Sequence, residues 1–185
     1  QFKGAVLNAF RIPTVPNAVA HSANEALVVA QSIGFPIAMK VLSGDISHKS
    51  DAKAVFLNLK NEKDASEAFD KIIWNAHASD SKARIEGVTI QPMLSGYDHE
   101  LILGVKKDRD FGPVVLFGMG GIMAEVLEDR AIALPPLNRL LARSLVEKTR
   151  VYRLLKGYRN RPPANLTLLE EILIRLSQLV IDFPE

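Results

Sequence analysis

The chain reads as an α+β protein of two lobes, each a mostly antiparallel sheet with helices packed against it. Three observations lead there. Through the first half, apolar strand-like runs and helical stretches follow in the order β, α, β, β, α, β. The second half changes to strand-like runs separated by tight turns, and from Leu137 onward leucine recurs at helical spacing. Between the halves, Pro92 to Asp98 has the composition of a hinge. The expected division is therefore residues 1–19 as the end of a preceding helix and a linker, 20–95 as the first lobe and 96–185 as the second.

Each element has a local cause. Ser22-Ala23-Asn24-Glu25 has the Ser-x-x-Glu form of a capping box, so a helix should start there and run through Ala26, Leu27, Val28, Ala30 and Ile33. Gly34 supplies a left-handed stop and Pro36 prevents continuation. A strand near Ile37–Leu42 and another near Val55–Leu59 flank a turn-rich loop. Asn61 is placed to cap a helix that carries Ala65, Ala68, Phe69, Ile72, Ile73 and Ala76 on one face. A strand near Val88–Met93 closes the first lobe. In the second, Leu101–Val105, Val114–Leu116 and Ala124–Leu127 read as strands, with turns at Lys107–Asp110 and Gly118–Gly121. The last helix spans Leu168–Ile181.

Composition narrows the function. Of the residues, 48% are hydrophobic and 24% charged, which is the balance of a folded globular chain. With 23 basic and 21 acidic side chains the net charge is only +2, so no nucleic-acid footprint is expected. The basic stretch Arg139–Arg161 is interleaved with Leu and Val and reads as a solvated helix face. Cysteine is absent, which excludes disulfides, thiolate catalysis and Cys-ligated zinc, and fits a cytoplasmic protein. No apolar run approaches the roughly 20 residues of a membrane span. Both ends look cut, as in a piece of a longer polypeptide.

Four features carry possible chemistry. Lys40 sits inside the apolar run Phe35–Leu42, where its ammonium must meet an anion, such as a nucleotide phosphate, or snorkel to water. His48, in the tetrapeptide His48-Lys49-Ser50-Asp51, is either a nucleophile able to carry a phosphoryl group on nitrogen or a surface histidine in a polar turn. Gly118-Met119-Gly120-Gly121 reads equally as a tight turn or as a phosphate cradle; it is no Walker A loop, and Met123 stands where a third glycine of G-x-G-x-x-G would be. Asp45, Asp51, Glu100, Glu125 and Asp129 offer oxygen ligands for a cation, or are plain solvated surface.

Taken together, "IGFPIAMKVLSGDISHKSDAKAVFLNL", "IEGVTIQPMLSG", "ELILGVKKDRDFGPVVLFGMGGIMAEVLED" and "RLSQLVIDFPE" resemble the ATP-grasp domain of NDP-forming acyl-CoA synthetases. Acetate-CoA ligase (ADP-forming) belongs to that family, as do relatives fused to a GNAT acetyltransferase domain. The resemblance covers nearly the whole chain, in order and at matching spacing. It implies the ATP-grasp fold, two lobes that clamp ATP or ADP between antiparallel sheets. It also implies a reaction linking acyl-CoA, ADP and phosphate to acid, CoA and ATP.

Through the same resemblance, Lys40 matches a strand-end lysine that reaches the nucleotide phosphates. Gln91, Pro92 and Met93 match a crossover whose backbone reads the adenine edge. Glu100 faces the ribose or phosphates, Glu125 lines the cleft, and His48 is the catalytic loop histidine that takes a phosphoryl group from a partner domain and passes it to ADP. Mg²⁺ is implied, with its carboxylate and asparagine in a C-terminal strand that follows "DFPE" and so lies beyond residue 185. CoA-binding and ligase domains of the same or another chain are the implied partners, with a fused GNAT domain and a homo-oligomer left open.

One departure stands out. The synthetases read "HKSD-x-GG-V", and here Lys53 and Ala54 take the places of the two glycines. The stretch "AIALPPLNRLLARSL" looks closer to the GNAT-fused proteins. Two functions therefore remain: an enzyme domain of an acid-thiol ligase with His48 as carrier, or a nucleotide-binding regulatory domain of a protein acetyltransferase. A carboxylate-amine ligase on the same fold would leave the "HKSD" loop without a purpose.

Overall fold

A computed structural model describes residues 2–46, 49–96, 99–121 and 127–183. It divides the chain into two compact units: Thr14–Ser95, and Gly96 onward together with Phe2–Pro13.

The first unit is one four-stranded antiparallel sheet with two helices on one face. Its strands are β1 (Ala18–Ala20), β2 (Ile37–Leu42), β3 (Val55–Leu59) and β4 (Gly87–Pro92), in the order β1-β4-β2-β3. Counting Phe2–Ala9 as α1, the helices here are α2 (Ala23–Ile33) and α3 (Glu62–Ser79). Both start where their caps predict. The Ser22 hydroxyl accepts the Glu25 amide at 3.2 Å while the Glu25 carboxylate accepts the His21 amide at 2.8 Å. Asn61 accepts the Asp64 amide at 2.9 Å, a cap of a kind worth about 1 kcal/mol. Gly34, at φ +85°, ends α2 and donates to the Ala30 carbonyl.

Strand alternation sends Ile37, Met39 and Val41 of β2, and Val88 and Ile90 of β4, under the helices, where all five are buried. Opposite them α2 presents Ala26 and Ala30, and α3 presents Ala65, Ala68, Phe69, Ile72 and Ala76. The alanines let each helix lie close to the sheet. Each fully buried aliphatic side chain contributes about 1.5–3 kcal/mol of transfer free energy. The consequence for function is that Ala38 and Lys40 of β2, and Thr89 and Gln91 of β4, occupy the helix-free face.

The second unit is a three-stranded antiparallel sheet, β5 (Leu101–Asp108), β6 (Gly112–Met119) and β7 (Arg130–Ala133), in that order. Helices α4 (Arg139–Glu147), α5 (Tyr152–Leu155) and α6 (Leu166–Asp182) pack on one face around Val115, Phe117, Leu145, Val151, Leu155 and Leu173. Helix α1 belongs to this unit: Arg175 Nη1 donates to the Arg11 carbonyl at 2.6 Å, and the Phe10 and Phe183 rings meet edge to face at 6.2 Å. Ser177, buried on the apolar stripe of α6, accepts the Leu137 amide at 3.0 Å and ties the entrance of α4 to α6.

Three sequence expectations change here. The strand expected at 124–127 falls on 124–126 outside the described residues, and Leu127 is not in a strand; the third strand of the sheet is β7, at Arg130–Ala133. The glycine turn is shorter than expected, because Gly118 and Met119 are paired in β6 and only Gly120–Gly121 turn. The third concerns bounds: the last helix, expected at Leu168–Ile181, runs from Leu166 to Asp182 as α6. Among the described residues, no helix is long and apolar enough to cross a membrane.

Candidate functional site

The register of the first sheet decides what surrounds Lys40. Lys40 lies opposite Thr89 on one side and Val55 on the other, and Val19 lies opposite Thr89 in turn. Paired residues share a face, so Val19, Thr89, Lys40 and Val55 form a row across the helix-free side. Gln91, opposite Ala38, sits one diagonal step from Lys40 on the same face. The Thr89 hydroxyl donates to the Lys40 carbonyl at 3.2 Å and leaves the ammonium alone. Lys40 is partly buried as a residue, and its ammonium makes no hydrogen bond or ion pair among the described residues. An ammonium without a counter-charge is available to an anionic ligand.

At the end of β4 the backbone is already committed in part. Pro92 has no amide hydrogen, and the Met93 amide donates to the Pro36 carbonyl at 2.9 Å. The Met93 amide is thus committed to Pro36, while the Gln91 side chain lies on the helix-free face.

In the second unit Glu100 is exposed and lies against the glycine turn. Its carbonyl accepts the Gly120 amide at 2.7 Å, and a Cβ added at Gly121 would come within 2.7 Å of its Oε2. Gly121 is also at φ +65°, where a side chain is strained. Beside this turn opens a groove of about 570 Å³ lined by Ile102, Leu116, Met119, Gly121, Glu128, Asp129 and Arg130. Its lining mixes apolar side chains with two acidic residues and one arginine. Glu128 and Arg130 gave no sequence signal; only the pairing of Gly118 with Arg130 places them there.

Other expected residues are placed differently. His48 and Glu125 lie outside the described residues. Two of the candidate cation ligands serve the backbone instead. Asp45 accepts the Arg84 amide at 2.7 Å, and the buried Asp129 carboxylate accepts the Arg150 and Val151 amides, each at 2.7 Å. No cluster of three or more metal-ligating side chains occurs among the described residues.

The base of the histidine loop is firmly held. The Ala54 amide donates to the Lys49 carbonyl at 2.9 Å, and Asn75 Nδ2 donates to the Lys53 carbonyl at 2.7 Å. Lys53 sits at φ +51°, the left-handed region that favours glycine. The departure from two glycines is thus accommodated without changing the region of backbone space a glycine would use. Left-handed backbone costs a non-glycine residue about 1–2 kcal/mol, part of which glycine returns as unfolded-state entropy. Lys53→Gly is expected to raise stability by about 0.5 kcal/mol, read as a higher urea midpoint at unchanged slope.

The first unit thus bears a partly buried lysine on its helix-free sheet face, and the second a glycine-edged groove with an arginine in its wall. The chain belongs to the ATP-grasp domain family, which matches residues 3–185. It is 42% identical over 97% of its length to acetate–CoA ligase [ADP-forming] I of Archaeoglobus fulgidus, and 41% identical over the same share to 4-hydroxybutyrate–CoA ligase [ADP-forming] of Nitrosopumilus maritimus. It spans about a quarter (26%) of each of those proteins. It is also 37% identical, over 97% of its length, to the β subunit of a Pyrococcus furiosus acetate–CoA ligase [ADP-forming], of which it spans 76%.

Among solved structures, an acetyl-coenzyme A synthetase of Ca. Korarchaeum cryptofilum, in complex with coenzyme A and Ca-AMPCP, superposes with a TM-score of 0.90 at 32% identity. That match covers 97% of this chain and 78% of the other. A Pyrococcus horikoshii crystal structure gives a TM-score of 0.91 at 36% identity, covering 98% and 76%. The expected α+β ATP-grasp fold is therefore the observed one.

Proposed function

We propose that this chain is the nucleotide-binding ATP-grasp part of an ADP-forming acyl-CoA synthetase. On this reading Lys40 engages the phosphates of ADP or ATP, Gln91 and the backbone near Met93 meet the base, and Glu100 meets the ribose or phosphates. His48 carries the phosphoryl group, and Glu125 contributes to the cleft wall. The observation that carries it is the partly buried Lys40, its ammonium unpaired among the described residues, on the helix-free sheet face of a chain that aligns along 97% of its length with ADP-forming ligases.

Support for the histidine comes from a relative. A Ca. Korarchaeum cryptofilum synthetase bound to coenzyme A and Mg-AMPPCP, 29% identical to this chain, has its phosphohistidine segment pointing towards the nucleotide-binding site. His48 in "HKSD" is the residue of this chain we assign to that role. A phosphorylated imidazole keeps phosphoryl-transfer potential while it moves between sites. Mg²⁺ would neutralise the nucleotide's phosphates. The described residues assemble no set of three or more metal-ligating side chains for it. CoA-binding and ligase domains would complete a cytoplasmic enzyme.

A regulatory lobe of a GNAT-fused acetyltransferase is the alternative. It draws on Lys53 and Ala54, but Lys53 at φ +51° keeps a glycine-like backbone, which weakens that argument. One experiment separates the two. The full-length protein, incubated with ATP and Mg²⁺, is expected to form phosphohistidine at His48, and to yield ATP from acetyl-CoA, ADP and phosphate. His48→Asn should abolish both. Nucleotide binding without either product would reject the ligase and retain the regulatory domain.

A further inference from the structure

We propose that Arg130 is a phosphate-binding residue of the groove in the second unit, and that Asp129 is the positioning residue that holds it there. The inference rests on the reading of the domain as a binder of adenine nucleotides and adds a residue to it.

Arg130 opens β7 directly opposite Gly118. A Cβ at Gly118 would run into the Asp129 carbonyl oxygen and lie 2.9 Å from Arg130 Cα, so only glycine lets the two strands meet at this spacing. Asp129 then locks the segment. Its carbonyl accepts the Met119 amide at 2.9 Å, and its two carboxylate oxygens accept the Arg150 and Val151 amides at the start of α5. Carboxylate-to-amide bonds are among the strong hydrogen bonds of proteins. The residue before, Glu128, is held at φ +46°, a conformation unfavourable for any side chain but glycine.

This wiring aims a guanidinium into a ligand-sized groove. Arg130 is exposed and makes no hydrogen bond or ion pair among the described residues. Glu128 lines the same groove yet is not paired with it. An unpaired surface arginine is ordinarily just solvated. Here the backbone beneath it is fixed by three hydrogen bonds and the adjoining walls, Ile102, Leu116 and Met119, are apolar. Five N–H donors in a rigid fork match phosphate oxygens. Glu128 lines the same groove, and Glu100 lies against its Gly121 edge; carboxylates there suit ribose hydroxyls rather than phosphate.

The test is calorimetry on the full-length protein with ADP, AMP and adenosine. Arg130→Met, which keeps an unbranched apolar stem and removes the charge, is expected to weaken ADP about 10- to 100-fold. It should leave adenosine unchanged, and Arg130→Lys should recover part of the loss. Asp129→Asn should weaken ADP in the same direction, and the Asp129→Asn, Arg130→Met double variant should bind no worse than Arg130→Met alone. An unchanged ADP affinity in Arg130→Met, or an equal loss for adenosine, would overturn the assignment while nucleotide binding itself stands. Wild-type protein that ignores ADP would overturn the nucleotide reading, and this one with it. If Asp129→Asn does not fold, the Arg130 variants still decide the phosphate role.

Discussion

Replacing Lys40 with methionine is expected to weaken ADP binding by the full-length protein about 10- to 100-fold while leaving its unfolding midpoint unchanged or slightly raised. The two halves of this expectation share one cause. Lys40 is partly buried on the helix-free face, between Thr89 and Val55, and its ammonium has no partner among the described residues. In the unliganded protein that ammonium makes no bond among the described residues whose loss would cost stability. Methionine matches its stem without the charge, so folding should lose nothing. On the proposed reading the ammonium would supply bound nucleotide with charge-assisted bonds worth about 1.5–3 kcal/mol, and their loss converts to the stated factor. Calorimetry with ADP and a thermal melt of the same samples check both halves. A lower midpoint at unchanged affinity would make Lys40 a structural residue and withdraw it from the site.

What the sequence disclosed tracks the range of the interactions involved. The starts of α2 and α3 were legible because Ser22–Glu25 and Asn61–Asp64 act within four residues of each other. Strands β2 and β3 were legible because their apolar runs are bounded by turn residues. Strand β7 was not. Its four residues have no pattern of their own and become a strand through pairing with Val115–Gly118. Gly118 read as a turn residue for a related reason: its role is to let Asp129 and Arg130 approach, which no local spacing reveals. Asp129 read as a candidate metal ligand, but its partners are amides 21 and 22 positions away. Lys40 could be singled out as a charge in an apolar run, whereas its row of Val19, Thr89 and Val55 depends on register.

Gly118→Ala is expected to destabilise the second unit by about 2–4 kcal/mol, a larger effect than any single surface substitution produces. The added methyl would meet the Asp129 carbonyl oxygen, Arg130 Cα at 2.9 Å and Arg130 Cβ at 3.0 Å. None of these is a flexible side-chain tip, so no rotamer change relieves the contact and β7 itself must move. Movement strains the Met119–Asp129 backbone bond and the two bonds from the Asp129 carboxylate to the start of α5. Bonds to a charged acceptor contribute about 1.5–3 kcal/mol each, and partial relaxation keeps the net cost below their sum. Gly104, in the neighbouring strand β5, is the control: a Cβ there has nothing within 4 Å. Gly104→Ala should fall within about 0.5 kcal/mol of wild type. Native-state hydrogen exchange resolves the units separately, with amides of β6 and β7 reporting on the second and those of β2 and β4 on the first. Faster exchange confined to β6 and β7 in Gly118→Ala, and absent in Gly104→Ala, ties the loss to the close approach. Equal losses in both variants would mean that glycine itself, rather than the contact with Asp129 and Arg130, sets the stability of this sheet.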